Sequence, residues 1–357
     1  MHTEVPPRES WSSPLSIDLL SKVLHTTVLH PFLVWLLPLC LAAQATPWNE
    51  PWMLAFLGWA SLVSLSCLAG ALNRRVAYGL PREVDLSEEV VVVTGGGSGL
   101  GLLVAEVYGM RGASVAVLDV RRGMEGGEGR GVRFYECDVG DGKRVAEVAM
   151  EIERDLGTPT ILINNAAIVI GKSFLNLSLD EIDTSLRTNL LGPFYCLKAF
   201  LPAMLRSGRG GTIVNISSVI GHLGAAQLTD YAAAKAGLTA LHRSLTAELR
   251  EKHPEIRTVL ITPGQLSTPL FHGVKTPSRF FAPVVEPVDV AREIIAAVDG
   301  GRSAEIRMPL YARWVDWYHV LPAGVQVVVR ALAGVDRGMK TFVGRGEEVS
   351  KLGKGQA

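Results

Sequence analysis

Val90-Val-Val-Val-Thr94 runs straight into Gly95-Gly-Gly-Ser-Gly99-Leu-Gly101. An unbroken run of β-branched residues reads as a short strand buried on both faces. The glycines permit a tight turn, and Gly99–Met110 has a helix-compatible sequence without proline. In that order, strand, turn and helix make an anion site. The turn lets backbone approach a phosphate closely, and the helix N-terminus supplies N–H donors. Gly95, Ser98, Gly99, Leu100 and Gly101 are the candidate pyrophosphate contacts.

A glycine-rich turn alone is a weak signal, and an acidic residue at the end of the next strand strengthens it. That second strand, Ser114–Leu118, ends at Asp119. A carboxylate there accepts hydrogen bonds from an adenosine ribose and repels a 2′-phosphate, which favours NAD over NADP. The plainer reading of Asp119 is a solvated strand end. Arg121 and Arg122 stand beside it and keep NADP as the alternative.

Outward from this unit, strands and helices alternate. Strands are predicted at Val132–Tyr135, Thr160–Ile163, Thr212–Ile216, Arg257–Ile261 and Ala304–Ile306. Helices are predicted at Asp141–Leu156, Leu179–Arg206, Tyr231–Arg250 and Asp289–Val298. This is the α/β pattern of a doubly wound parallel sheet, here over residues 84–307. Residues 269–287 form a predicted lid, apolar with interspersed His272, Lys275 and Arg279.

Tyr231-Ala-Ala-Ala-Lys235 places a phenol and an ammonium one helical turn apart, on one face. The strand before that helix ends at Ser217-Ser218. With these residues the chain resembles the short-chain dehydrogenase/reductase family over roughly residues 88–307. The motifs that carry the resemblance are TGGGSGLG at 94–101, Asp119, Cys-Asp-Val at 137–139, Asn-Asn-Ala-Ala at 164–167, Asn189, Ser218, Tyr231, Lys235, and Pro263-Gly264 with Thr268. Ala167 stands where the family usually has glycine, and it adds only a methyl group.

The resemblance implies a Rossmann fold and an oxidoreductase that moves hydride between a nicotinamide and a CH–OH carbon. Tyr231 is then the acid/base. A free phenol has a pKa of about 10, so Lys235 and the positive nicotinamide are expected to favour the phenolate. Lys235 would also hold the nicotinamide ribose, Ser218 the substrate oxygen, and Asn189 a relay water. Asp138 would meet the adenine amine. Asn164 and Asn165 would line the cofactor, and the Leu266 backbone with Thr268 would hold the carboxamide. Ser217 reads as structural. His222 lies just beyond Ser218, and a surface loop is its simpler reading. No metal is needed for this chemistry.

The N-terminus is different. After a mixed segment, 1–30, two apolar runs fall in residues 31–75, Phe32–Ala45 and Trp52–Leu72, without a single Asp, Glu, Lys or Arg. The second is long enough to cross a bilayer core of about 30 Å. The first is short and broken by Pro38, so a hairpin of two membrane-anchoring helices and a single span both remain open. Trp48, Trp52 and Trp59 suit an interface, and Arg74-Arg75 places the rest of the chain on the cytosolic side. Ala43-Gln44-Ala45 has the form of a cleavage site, but the first thirty residues do not make a short positive signal region.

A helical extension is predicted for 308–343, with Leu310, Trp314, Trp317 and Leu321 on one face, and then a polar tail at 344–357. The N-terminal anchor and Gly334–Gly344 resemble the retinol dehydrogenase and 17β-hydroxysteroid dehydrogenase branch. That implies a lipophilic alcohol or ketone as substrate and a location on endoplasmic reticulum or lipid droplets. Family likeness also implies a homodimer through the Leu179–Arg206 and Tyr231–Arg250 helices.

Composition fits these readings. Lys+Arg and Asp+Glu balance at 35 each, which argues against a nucleic-acid partner. The mean hydropathy of +0.25 is high for a soluble enzyme. Cys40, Cys67, Cys137 and Cys196 are too far apart for a zinc motif and read as small buried hydrophobes. An NADPH-dependent ketoreductase and a non-catalytic NAD-binding membrane or lipid-droplet protein are the competing readings.

Overall fold

The computed structural model describes residues 15–121, 131–276 and 278–343. Arg122, the start of the mixed N-terminal segment and the tail at 344–357 lie outside the described residues. The chain divides into two compact units. One is Met1–Gly79 with Arg279–Phe281, and the other is Leu80–Ser278 with Ala282–Ala357.

In the larger unit β1 (Val90–Thr94) is central, and all five of its residues are buried. Val91 and Val93 enter one core with Val104 and Tyr108 of α4 (Gly99–Met110). Val90 and Val92 enter the opposite core. Alternate side chains of a strand point to opposite faces, so a valine at every position serves both layers. Each buried valine contributes at most about 1.5–3 kcal/mol.

The remaining strands are β2 (Ser114–Asp119), β3 (Val132–Glu136), β4 (Ile161–Asn164), β5 (Gly211–Ile216), β6 (Ile256–Pro263) and β7 (Ala304–Met308). All pair in parallel in the order β3-β2-β1-β4-β5-β6-β7. The order reverses between β1 and β4, and the crevice for a ligand opens there, at the strands' carboxyl ends. This is a Rossmann fold.

Helix α5 (Gly142–Asp155) covers one face through Val145, Val148 and Ile152. It shares that face with Phe200 and Met204 of α7 (Gly192–Ser207). The predicted helix Leu179–Arg206 is interrupted. Helix α6 (Leu179–Leu186) opens with a Ser178–Glu181 capping box and passes into a π-helical turn at Arg187–Leu191. Gly192-Pro193 then starts α7. Short α8 (Ile220–Leu223) precedes α9 (Thr229–Lys252), and α10 (Pro287–Asp299) packs beside α4. At the entrance to the sheet Arg82 grips Glu89 with two bonds of 2.8 and 3.2 Å, both side chains being buried.

Beyond β7 the extension is not one helix. A 3-10 turn at Leu310–Trp314 leads to α11 (Val315–Tyr318), then α12 (Ala323–Ala333) and a 3-10 segment at Val335–Thr341. Ala312 and Val315 pack inward against Val219, while Trp314 and Trp317 are exposed. The break before Pro322 removes the shared Leu310–Leu321 face.

In the smaller unit α1 (Ile17–Thr26) precedes α2 (Leu36–Ala43) and α3 (Pro51–Tyr78). Among the described residues, α3 alone is long and apolar enough to cross a membrane. With its leading turn at Leu33–Trp35, α2 spans less than about 20 Å, too short for a second crossing. Val34 packs with Ala60 and Val63, and Trp35 Nε1 donates to Ser64 Oγ at 2.9 Å. The first apolar run therefore folds back on α3.

Candidate active site

The glycine-rich turn is built by exclusion of side chains. Gly95 has φ +63°, and a Cβ there would lie 2.7 Å from Ala166 Cα. A Cβ on Gly101 would overlap the Gly95 carbonyl, so the helix can close on the turn only with glycine there. Gly99 has φ +57°, a conformation that favours glycine, and a Cβ there would stand in ordinary contact with Thr268 Cγ2 at 3.7 Å.

Three groups lock the turn. The Gly97 N–H donates to Asp119 Oδ2 at 2.9 Å. Asn165 Nδ2 donates to the Thr94 and Gly95 carbonyls, each at 3.0 Å. Thr94 Oγ1 accepts from the backbone N–H groups of Asn165 and Ala166. Asn165 thus fastens the end of β1 to the end of β4.

One cleft runs from this turn across the strand ends. Gly95, Ser98, Gly99, Leu100, Asp119 and Asp138 line its first part. Asn165, Ser218, Tyr231, Lys235, Leu266 and Thr268 line the rest. Asp138 Oδ1 accepts the Gly140 N–H at 2.8 Å, which leaves its other oxygen for a ligand. Thr184 and Thr188, from α6 and the π-turn, also reach the cleft. Sequence reasoning misses both, because the segment reads as one unbroken helix.

Three expected residues do not line the cleft. Gly101 supports the turn from behind. Asn164 is buried and points into the sheet, where its Nδ2 donates to Asn215 Oδ1 at 2.8 Å. A chain of polar groups continues from Asn215 to His242 Nδ1 at 3.0 Å. Strand alternation explains this, since Asn165 takes the ligand side and Asn164 the inner side. Asn189 is fully buried in the π-turn. Its Oδ1 accepts the Ile168 N–H at 3.0 Å, and its Nδ2 donates to the Ile168 carbonyl at 2.9 Å and to Ser185 Oγ at 3.2 Å. It holds the loop that carries Ala167 and Ile168.

Ser218, Tyr231 and Lys235 meet at the far end. Tyr231 is 3% exposed and shares the cleft with Ser218. Burial raises the Tyr231 phenol above the ordinary tyrosine value, and the neighbouring Ser218 hydroxyl opposes that rise. Burial also lowers Lys235, to about 8. Lys235 Nζ donates to the Ile216 carbonyl at 2.7 Å. Lys235 Nζ stands 5.6 Å from the centre of the Tyr231 ring. Ser217 bonds the Lys235 carbonyl at 3.0 Å and Thr239 Oγ1 at 2.7 Å, a structural role. Burial pushes the Cys137 thiol up to about 12, so it packs unreactively.

His222 is not on a free loop. Its Nδ1 meets Asp316 Oδ1 at 2.8 Å, and Asp316 also pairs with Arg307 at 2.7 Å. These partners are distant in sequence, so no local signal points to them.

Residues 89–278 match the short chain dehydrogenase family. Epidermal retinol dehydrogenase 2 of Mus musculus is 31% identical over 304 residues, covering 82% of this chain and 96% of that protein. Short-chain dehydrogenase/reductase 3 of Homo sapiens is 32% identical over 303 residues, covering 81% and 98% respectively. A metagenomic short-chain oxidoreductase solved with NADP superposes with a TM-score of 0.53 at 29% identity, covering 63% of this chain and 99% of that one. A Burkholderia cenocepacia short chain dehydrogenase, also solved with NADP, shares the fold with a TM-score of 0.58 at 23% identity, covering 70% and 99%. The chain belongs to the short chain dehydrogenase family and is an oxidoreductase of alcohol or carbonyl groups.

Proposed function

We propose that this protein moves hydride between NAD(H) and a lipophilic alcohol or carbonyl compound while tethered to a membrane. The observation that carries the proposal is the convergence of Ser218, Tyr231 and Lys235 at one end of the cleft that begins at the glycine-rich turn.

The residues present fit a nicotinamide dinucleotide. The N-terminus of α4, where Ser98, Gly99 and Leu100 line the cleft, suits the pyrophosphate. Asp119 suits a ribose with free hydroxyls, and Asp138 suits an adenine amine. The Leu266 backbone and Thr268, which line the cleft, would hold the carboxamide. Bound there, the nicotinamide supplies the hydride donor or acceptor and, when oxidised, a positive charge.

The protein's part is orientation and proton transfer. Ser218 and Tyr231 hold the substrate oxygen, and Tyr231 passes the proton at its phenolic oxygen. Lys235 holds the nicotinamide ribose. It also carries positive charge beside the phenol, on the side opposing the effect of burial. The Asn189 side chain is bonded to Ile168 and Ser185, so its part is to position the loop after β4 beside the cleft.

Several features support a lipophilic substrate at a membrane. The chain resembles a protein named as a retinol dehydrogenase across nearly the whole length of that protein. Leu270 and Phe271 close the catalytic end of the cleft. Helix α3 presents exposed leucines along its length, and Arg74-Arg75 at its end favours a cytosolic catalytic domain, on endoplasmic reticulum or lipid droplets. Arg121 beside Asp119 favours a second reading, an NADPH-dependent reductase.

The test is turnover by the full-length protein in membranes, with NAD or NADP and a panel of retinoid, sterol and fatty alcohols. Nucleotide reduction by the membrane fraction, retained after alkaline washing, is the expected result. No turnover of any panel member with tight nucleotide binding would support a non-catalytic role instead. Activity released by alkaline washing would remove the tether.

A further inference from the structure

Tyr231 sits in an apolar cluster whose outer members come from the far end of the chain. Met339, 4% exposed, packs with Tyr231, Ala225 and Leu228. Phe271 meets the Tyr231 ring edge-on, with centroids 6.2 Å apart. Phe342 and Val169 join from the sides. Every one of these side chains is hydrocarbon or thioether, apart from the Tyr231 hydroxyl.

The segment that carries Met339 and Phe342 is seated, not draped. The Lys275 N–H donates to the Gly338 carbonyl at 3.1 Å, and the Val343 N–H to the His272 carbonyl at 3.1 Å. Thr341 Oγ1 donates to the Gly273 carbonyl at 2.6 Å. Upstream, Arg330 holds Asp336 through two bonds of 2.7 Å and also donates to the Leu223 and Gly224 carbonyls. Asp336 in turn accepts the Ala226 N–H at 3.1 Å, just before α9.

Two loops are shaped to receive it. Gly171 has φ +74°, and a Cβ there would overlap the Phe342 ring. Gly273 has φ +84°, and a Cβ there would overlap the Thr341 carbonyl. A tail that merely covered the surface would not need slots in two separate loops.

We propose that residues 335–343 form the outer wall of the substrate chamber, and that Met339 sets how bulky an alcohol can stand against Tyr231. This rests on the oxidoreductase reading of the same site. The wall admits uncharged substrates with a hydrocarbon body. A flexible thioether at its centre yields to a slim chain more readily than to a rigid ring system.

The experiment compares wild type, Met339→Ala and Met339→Leu, as full-length protein in detergent. The probes are decan-1-ol, retinol and a sterol alcohol, with NAD and NADP, and nucleotide Kd is measured alongside. Met339→Ala is expected to raise kcat/KM for the sterol relative to decan-1-ol by about tenfold, through KM. Met339→Leu should stay near wild type, and nucleotide Kd should not move in either variant. An unchanged sterol-to-decanol ratio in a Met339→Ala protein that still binds nucleotide would overturn the wall. Wild type inactive on all three alcohols would remove the lipophilic-alcohol reading of the site and this proposal with it.

Discussion

Lys235 Nζ lies 5.6 Å from the centre of the Tyr231 ring and spends a hydrogen bond on the Ile216 carbonyl, 2.7 Å away. One turn of α9 sets the first relationship and the end of β5 sets the second. The ammonium is therefore fixed beside the phenol, with one of its three donors committed to the end of β5.

Replacing Lys235 tests that division of labour. Lys235→Met should weaken nucleotide binding as well as turnover. Lys235→Arg should not rescue either, because a planar guanidinium does not reproduce a compact ammonium at a buried carbonyl. Nucleotide titration and steady-state rates measured together check this, and full nucleotide affinity in Lys235→Met would contradict it.

Asp119 closes the turn and faces the cleft. Its Oδ2 is taken by the Gly97 N–H, and its Oδ1 accepts the Arg121 N–H at 3.2 Å. Wild type should bind NAD more tightly than NADP. Asp119→Ala should narrow that gap by removing repulsion of the 2′-phosphate, at some loss of NAD affinity because the turn loosens. Dissociation constants for both nucleotides decide the matter. Tighter NADP binding by wild type would reverse the reading of Asp119.

Asn189 ties the π-turn to the loop after β4 through both polar groups of Ile168. Asn189→Ala should leave those backbone groups unpaired, at about 1–3 kcal/mol for each. A lower Tm and a lower kcat are both expected. Asn189→Asp should recover only the bond to the Ile168 N–H. An unchanged Tm in Asn189→Ala would show that the loop holds itself.

His242 provides a pH signature. It is buried, and burial lowers its pKa from 6.5 to about 4. The unfolded chain takes up a proton near pH 6.5 that the native protein refuses until about 4, so stability falls as pH falls across that window. The full effect is about 3 kcal/mol. His242→Gln, neutral at every pH, should flatten the loss of Tm between neutral and mildly acidic buffer. Equal acid sensitivity in wild type and variant would place the titration elsewhere.

Much of the fold was legible because it depends on local chemistry. Valine and isoleucine runs mark strands buried on both faces, and the glycine-rich turn with Asp119 marks the switch point. Tyr231 and Lys235 were legible because their spacing matches a helical turn. The π-turn was not, because inserting one residue into a helix leaves no compositional trace around Asn189. Asn164 and Asn165 are adjacent and identical, and only the strand's pleat decides which faces a ligand. The pairing of His222 with Asp316 and of Met339 with Tyr231 depends on how distant segments dock. The shortness of α2 depends on where its helix begins and ends, which an unbroken apolar run does not mark.

Tyr231 is expected to transfer the proton through its phenolic oxygen. Tyr231→Phe removes that oxygen and keeps the ring that packs against Phe271 and Met339. The decisive measurement is the rate of nucleotide reduction by wild type and Tyr231→Phe with a lipophilic alcohol, with NAD affinity determined for both. The expected result is retained NAD affinity and a rate lower by about 10²–10⁴-fold in Tyr231→Phe. A Tyr231→Phe protein that turns over at the wild-type rate would contradict the assignment.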